Sequence, residues 1–250
     1  MAGTRDWDGA TYDRIADPMT RWGAAVLDRL PLVGRETVLD AGCGSGRVTE
    51  TLLDRLPGGR VIAADAAPSM LAEARRRLAR FSDRVELVEC DLGRPLPVGP
   101  VDAVFSTATF HWVPDHDALF RNLAAVLAPG GPLVAQCGGA GNVANVQAAL
   151  DDMGETWPGP WTFATPEETA PRLAAAGFVD IETWLHDEPT VIDPGRAMET
   201  FLETVILRSH VDRLPEGERP AYVREVARRL PESRIDYVRL NIVARRAEAE

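Results

Sequence analysis

Residues 38 to 46 read Val38-Leu-Asp-Ala-Gly-Cys-Gly-Ser-Gly46, a short apolar run that ends in an acid and three glycines at alternate positions. A strand leaving through Asp40 into Gly42, Gly44 and Gly46 makes a turn nearly bare of side chains. A ligand can lie against its backbone at the start of the next helix. A dinucleotide fingerprint spaces its glycines G-x-G-x-x-G and turns the helix dipole toward a pyrophosphate. Here the third glycine comes one residue early and an acid precedes the loop. Asp40 repels a pyrophosphate and suits an ammonium, so a ligand carrying both a cationic amine and a ribose fits better.

The segments that follow repeat the pattern. Arg60-Val-Ile-Ala-Ala-Asp65 is a second apolar strand ending in an acid, and Asp65 lies at the right distance beyond the glycines to take both hydroxyls of a ribose. A third strand, Val85 to Cys90, ends at Asp91-Leu92, a carboxylate and an apolar face suited to an adenine. Val101 to Phe105 gives a fourth strand, which runs into the loop Ser106-Thr-Ala-Thr-Phe-His-Trp112. Strand and helix alternate from Glu36 to about Gln136, the signature of a parallel sheet with right-handed crossovers and a ligand site at the strands' carboxyl ends.

These motifs, in this order, resemble the class I S-adenosylmethionine-dependent methyltransferases. The resemblance implies S-adenosylmethionine as cofactor, held by Asp40, Gly42, Gly44, Gly46, Asp65, Ala66, Met70, Asp91, Leu92 and Thr107. Tyr12-Asp-Arg14 resembles the family's N-terminal contact to the methionine carboxylate, made through Tyr12. The expected fold is α/β, a doubly wound, Rossmann-like, mostly parallel seven-stranded sheet whose last strand is antiparallel. A nicotinamide-dependent oxidoreductase remains an alternative, since Asp65 would serve either ribose. So does a protein of this fold that binds the cofactor without transferring a methyl group, as a cyclase or binding module.

Outside the core, Pro18 to Leu30 has apolar residues at helical spacing (Trp22, Ala25, Val26, Leu30), which makes residues 1–34 a helical flap over the methyltransferase domain, 35–250. Leu127-Ala-Pro-Gly-Gly131 leads into a fifth strand, Pro132 to Gln136, and a less regular stretch, Gly138 to Pro160, follows. Beyond it the pattern gives a helix (Pro166 to Ala176), a strand (Val179 to Trp184), two helices forming a cap insertion at about 194–231, and a last strand, Ile235 to Ala244. The helical pair, the tail Asp236-Tyr-Val-Arg-Leu-Asn-Ile-Val-Ala-Arg245 and His111-Trp-Val-Pro-Asp115 resemble the trans-aconitate methyltransferase-like group.

The cap implies a small enclosed acceptor, a secondary metabolite or an organic acid methylated on oxygen or carbon, with Trp112, Trp157, Trp161, His210, Tyr237 and Arg239 as candidate pocket residues. If the acceptor is a phenol, alcohol or carbon acid, His111 is the candidate catalytic base. If it is a carboxylate, no base is required and Arg239 or Arg208 would clamp it.

Composition narrows the partners. The chain has 250 residues, 45% of them hydrophobic, and a formal net charge of −11, which offers no footprint for a nucleic-acid backbone. All 27 basic residues are arginine, which excludes a lysine base or Schiff base. Arg75-Arg-Arg77, on a helix from Ser69 to Arg80, reads as a solvated face. Cys43, Cys90 and Cys137 are too few and too scattered for a disulfide framework or a metal site, and each is expected at a strand end. With no apolar leader or membrane-length run, the expectation is a cytoplasmic monomer or homodimer, with no membrane partner.

Overall fold

The computed structural model describes residues 17–248, so Tyr12 and its neighbours lie outside the described residues. Helix α1 (Asp17–Leu27) precedes strand β1 (Thr37–Ala41), then α2 (Arg47–Asp54), β2 (Arg60–Asp65), α3 (Pro68–Arg77), β3 (Val85–Glu89), β4 (Ala103–Thr107), α4 (His116–Val126) and β5 (Pro132–Gly138). Then come α5 (Ala144–Asp152), α6 (Pro166–Ala175), β6 (Phe178–Asp187) and β7 (Thr190–Val191). The cap follows as α7 (Arg196–Phe201), a π-helical turn (Leu202–Ile206), α8 (Arg208–Val211) and α9 (Arg219–Arg229), before β8 (Arg234–Ile235) and β9 (Val238–Arg246).

The main sheet has the order β3-β2-β1-β4-β5-β9-β6. β1 pairs in parallel with both β2 and β4, so the connections diverge between β1 and β4 and open a crevice at their carboxyl ends. β9 runs antiparallel between β5 and β6, as expected of the last strand. The central strands are continuous apolar runs because helices cover both faces: Val61, Ala63 and Ala64 are fully buried, as are Val104 and Phe105. A third cluster, containing Trp22, Leu150, Phe201, Leu202 and Val226, joins α1 and α5 to the cap.

Several boundaries differ from the sequence reading, each for a local reason. The stretch after Gly138 contains α5, whose buried stripe is only Val146, Ala149 and Leu150 and which starts at Val143 in the left-handed region, φ 52°. The last strand is broken: Val143 N–H donates to Asp236 O at 2.7 Å, and Asp236 N–H donates to Asn145 Oδ1 at 3.2 Å, diverting that backbone from the sheet. β6 extends beyond Trp184 because its partner β9 continues to pair with it as far as Asp187. In α1, Ala25 is exposed and Leu27 is buried in its place. Gly23 also faces inward, where a Cβ would lie 2.6 Å from Val48, so α1 crosses closely over α2. Helix α3 ends at Arg77, followed by a separate 3-10 turn, Ala79–Phe81. Of the cysteines, Cys43 lies in the glycine turn, Cys90 follows β3 directly, and Cys137 is inside β5.

Candidate active site

The glycine turn is built by its neighbours. Gly42 and Cys43 both donate to Ala64 O, at 2.8 and 2.9 Å, which ties the turn to the end of β2. The three glycines, all at positive φ, do different things. A Cβ on Gly42 would overlap Thr109, whose hydroxyl donates to Gly42 O at 3.1 Å. At Gly46 it would crowd Ala74 and Leu78 of the α3 region, at 3.2–3.3 Å. At Gly44, φ +53°, it would meet nothing within 4 Å, so the bare surface that a ligand can lie against is centred there.

Two acids border that surface. Asp40 is 2% exposed and its Oδ2 accepts from Thr49 Oγ1 at 2.6 Å. Burial, opposed by that hydrogen bond and reinforced by the charge on Asp65, pushes its carboxyl from 3.8 up to about 7. Asp65 takes the Gly44 N–H on Oδ2 and the Ala67 N–H on Oδ1, both at 2.9 Å, and burial raises its pKa despite them. Each oxygen retains a further lone pair for a hydroxyl. A buried acid suited to a cation, an acid with spare acceptor capacity and an open glycine fit the amine, ribose and backbone of S-adenosylmethionine.

Ala66 follows Asp65 in the bend before α3, where Met70 is buried. Asp91 is exposed, accepting from Gly93 N at 2.9 Å, while Leu92 is buried in the core that holds Phe110 and Phe120. Thr107 ends β4, and its carbonyl accepts from Thr109 Oγ1 at 2.9 Å. The sequence reading missed the residues that hold the turn: Thr49, Thr109, Ser106, which donates to Ala41 O at 2.6 Å, and Arg77, whose Nε donates to Ser45 O at 3.1 Å. Arg77 is therefore not part of a solvated face. The spacing of polar residues gives no signal for these contacts.

The Gly44→Val variant is expected to lose measurable S-adenosylhomocysteine binding by calorimetry while remaining folded by circular dichroism. A β-branched side chain fills the open surface and is strained at positive φ.

A second cavity opens beside this cradle. Its floor is the loop after β4, with Ala108, His111 and Trp112, together with Asn142 and Val143 beyond β5. Trp161 and Phe163 form one wall, Val205 and Ile206 come from the π turn, Tyr237 precedes β9 and Arg239 lies within it. Trp22 of α1 completes it, with its ring 5.1 Å from that of Tyr237 and 4.9 Å from the Arg239 guanidinium. His111 is buried, and its Nδ1 accepts from Gly138 N–H at 3.2 Å. Burial first, then the Arg239 charge, holds its pKa well below the ordinary imidazole value.

The structure thus brings His111, Trp112, Trp161, Tyr237 and Arg239 to one cavity. Trp157 and His210 are not among its lining; their rings pack together tilted by 49° with centroids 4.8 Å apart, and the His210 ring is 5.6 Å from that of Trp161. Arg208 is also elsewhere, bonded to Asp212 at 3.0 Å. That leaves Arg239 as the cation of the candidate clamp that faces the site.

A methyltransferase domain family model matches residues 38–131. The chain is 34% identical over 227 residues to a trans-aconitate 2-methyltransferase of Azoarcus sp. strain BH72, an alignment covering 87% of this chain and 86% of that one. It is 32% identical to one of Variovorax paradoxus over 91% and 90%. Among solved structures, a Haemonchus contortus phosphoethanolamine N-methyltransferase 2 with S-adenosyl-L-methionine matches with TM-score 0.64 at 21% identity, over 96% of this chain and 57% of that one. The cyclase SpnF matches with TM-score 0.62 at 22% identity, over 100% and 89%. Fold, cradle and these likenesses define an S-adenosylmethionine-dependent methyltransferase of small metabolites. Within that class, the chain belongs to the family of the trans-aconitate 2-methyltransferases. No helix among the described residues is long and apolar enough to cross a membrane.

Proposed function

We propose that the protein methylates a carboxylate oxygen of a small organic acid. The observation that carries this reading is the state of His111. With Nδ1 accepting the Gly138 N–H, a neutral ring bears its proton on Nε2 and acts there as a donor. Its one basic lone pair, on Nδ1, is committed to the Gly138 amide, and burial beside Arg239 lowers the ring's basicity, so it is poorly suited to take a proton. A phenol or carbon acid needs such a base; an ionised carboxylate does not. The relatives' named substrate, trans-aconitate, is a carboxylic acid, which supports the same class.

When bound, S-adenosylmethionine supplies a methyl group on a sulfonium that needs no further activation. Asp40, Asp65 and the Gly44 backbone are the residues that would hold it. Arg239 binds and orients the acceptor carboxylate, His111 Nε2–H donates to it, and the indoles of Trp22, Trp112 and Trp161 exclude water. An ionised carboxylate would accept the methyl group without losing a proton, so no residue of the chain has to move one. The net charge of −11 supports a free metabolite over nucleic acid as acceptor.

His111→Ala is expected to lower kcat/KM by about tenfold to a hundredfold, the loss of one hydrogen bond to a charged group. The wild-type rate should stay level between about pH 6 and 8, because a ring already neutral does not titrate there. A rate that falls through the imidazole range, with the fall abolished in His111→Ala, would restore a base and with it a phenolic or carbon acceptor.

A further inference from the structure

We infer that Asn241, with His186 behind it, is a positioning residue for the acceptor site: it fixes Arg29, and through Arg29 the helix that closes the cavity with Trp22. This rests on the reading of that cavity as the acceptor site and goes beyond it, to residues outside the cavity's lining. Asn241 is a fully buried amide between Leu240 and Ile242 in β9. Its Oδ1 accepts from Arg29 Nη1 at 2.6 Å and from Gln136 Nε2 at 2.9 Å, and its Nδ2 meets His186 Nδ1 at 2.9 Å. His186 Nε2 in turn lies 3.1 Å from Glu188 Oε2. A guanidinium only donates, so the amide atom that meets Arg29 has to be the oxygen. The nitrogen is left for His186, whose Nδ1 has to accept, and the proton of the neutral ring sits on Nε2, directed at Glu188. Every polarity in the row follows from Arg29.

Arg29 stands just past the end of α1, its guanidinium 5.1 Å from the centre of the Trp184 ring. Trp22 lies about two turns earlier, with Val26 and Leu27 fully buried between them. Apolar burial is non-directional, so the bond from Arg29 to Asn241 is what fixes where the helix sits on the sheet. With the helix it fixes the Trp22 indole over Arg239 and Tyr237. A proton on His186 Nδ1 breaks the row. It sets N–H against N–H at 2.9 Å, and turning the Asn241 amide only moves the conflict to Arg29. Among the described residues, the charged groups that face His186 are Glu188, Arg239 opposite it in the β6–β9 ladder, and Arg29 beyond Asn241. Acid therefore loosens the hold on Arg29 and on the Trp22 wall.

The test uses Arg29→Met, which keeps an apolar stem against Trp184 and removes the donors. Arg29→Lys is the conservative variant, and His186→Asn accepts from Asn241 without taking a proton. Hydrogen exchange of the α1 amides is read with S-adenosylhomocysteine bound and no acceptor present, and KM and kcat are read for methyl ester formation from trans-aconitate. Arg29→Met is expected to speed α1 exchange and raise KM about tenfold, with kcat and S-adenosylhomocysteine affinity unchanged, and Arg29→Lys to restore most of the KM. In the wild type KM should rise as pH falls through the imidazole range while the rate at saturating acceptor stays level; in His186→Asn that rise should be absent. Unchanged α1 exchange or unchanged KM in Arg29→Met overturns the inference. So does a joint loss of kcat, KM and cofactor affinity, which marks a general structural role, or a KM profile in His186→Asn that matches the wild type. Failure of the wild type to form any ester from trans-aconitate counts against the carboxylate reading, and the inference then stands or falls on α1 exchange alone.

Discussion

Asp40→Asn is expected to raise the melting temperature of the cofactor-free protein by about 5–10 °C above pH 7 while weakening S-adenosylhomocysteine binding at least about tenfold. The two effects have one cause. Burial holds the Asp40 carboxyl at about 7 instead of 3.8, which corresponds to roughly 2–4 kcal/mol of lost stability once the group is charged. Between those pH values the folded state binds more protons than the unfolded state. Stability therefore falls as pH rises through the window, and the penalty is fully present above about 7. Asparagine keeps an oxygen for the Thr49 hydroxyl and carries no charge, so the variant escapes the penalty. It also loses the anion suited to the cofactor's ammonium. Melting curves at about pH 5 and pH 8 check the sign: the gap between variant and wild type should widen with pH. A variant less stable at both would show that the acid is not held at a cost.

Asp65→Ala is expected to weaken S-adenosylhomocysteine binding about a hundredfold, on the order of 3 kcal/mol, with little change in melting temperature. Alanine removes the carboxylate proposed to accept from two ribose hydroxyls, together with the bonds that fix the Gly44 and Ala67 amides. The folded protein loses those two bonds but is also relieved of a buried carboxylate, and the two effects offset each other. Titration calorimetry measures the loss directly. An unchanged dissociation constant would place the ribose away from the end of β2.

The cofactor half of the protein was legible in the sequence because its information is local. An apolar run, an acid and a glycine turn are contiguous, and each strand of the parallel sheet is its own apolar segment with an acid at its end. The acceptor half was legible only in part. Its cavity draws on separate stretches around Trp22, His111, Val143, Trp161, Val205 and Arg239, which only the folded chain brings together. Composition marked the tryptophans but not which of them faces inward. Trp157 and Trp161 are four residues apart, and one lines the cavity while the other packs behind it on His210. Helix α5 was hidden by its short buried stripe, and the π turn has no sequence signature. The orientation of His111 depends on a backbone amide at Gly138, far along the chain, which residue identity does not reveal.

β9 lies between β5 and β6, and both ends of the α1 region fasten to it: Trp22 against Tyr237 and Arg239, and Arg29 to Asn241 at 2.6 Å. During synthesis the glycine turn and the strands around it can pair as they emerge. β6 has no neighbour in the main sheet until residues 238–246 arrive. The cradle and the acceptor cavity therefore mature at different times, and a nascent chain stopped short of Val238 would hold a formed cofactor surface beside an unbuilt acceptor site.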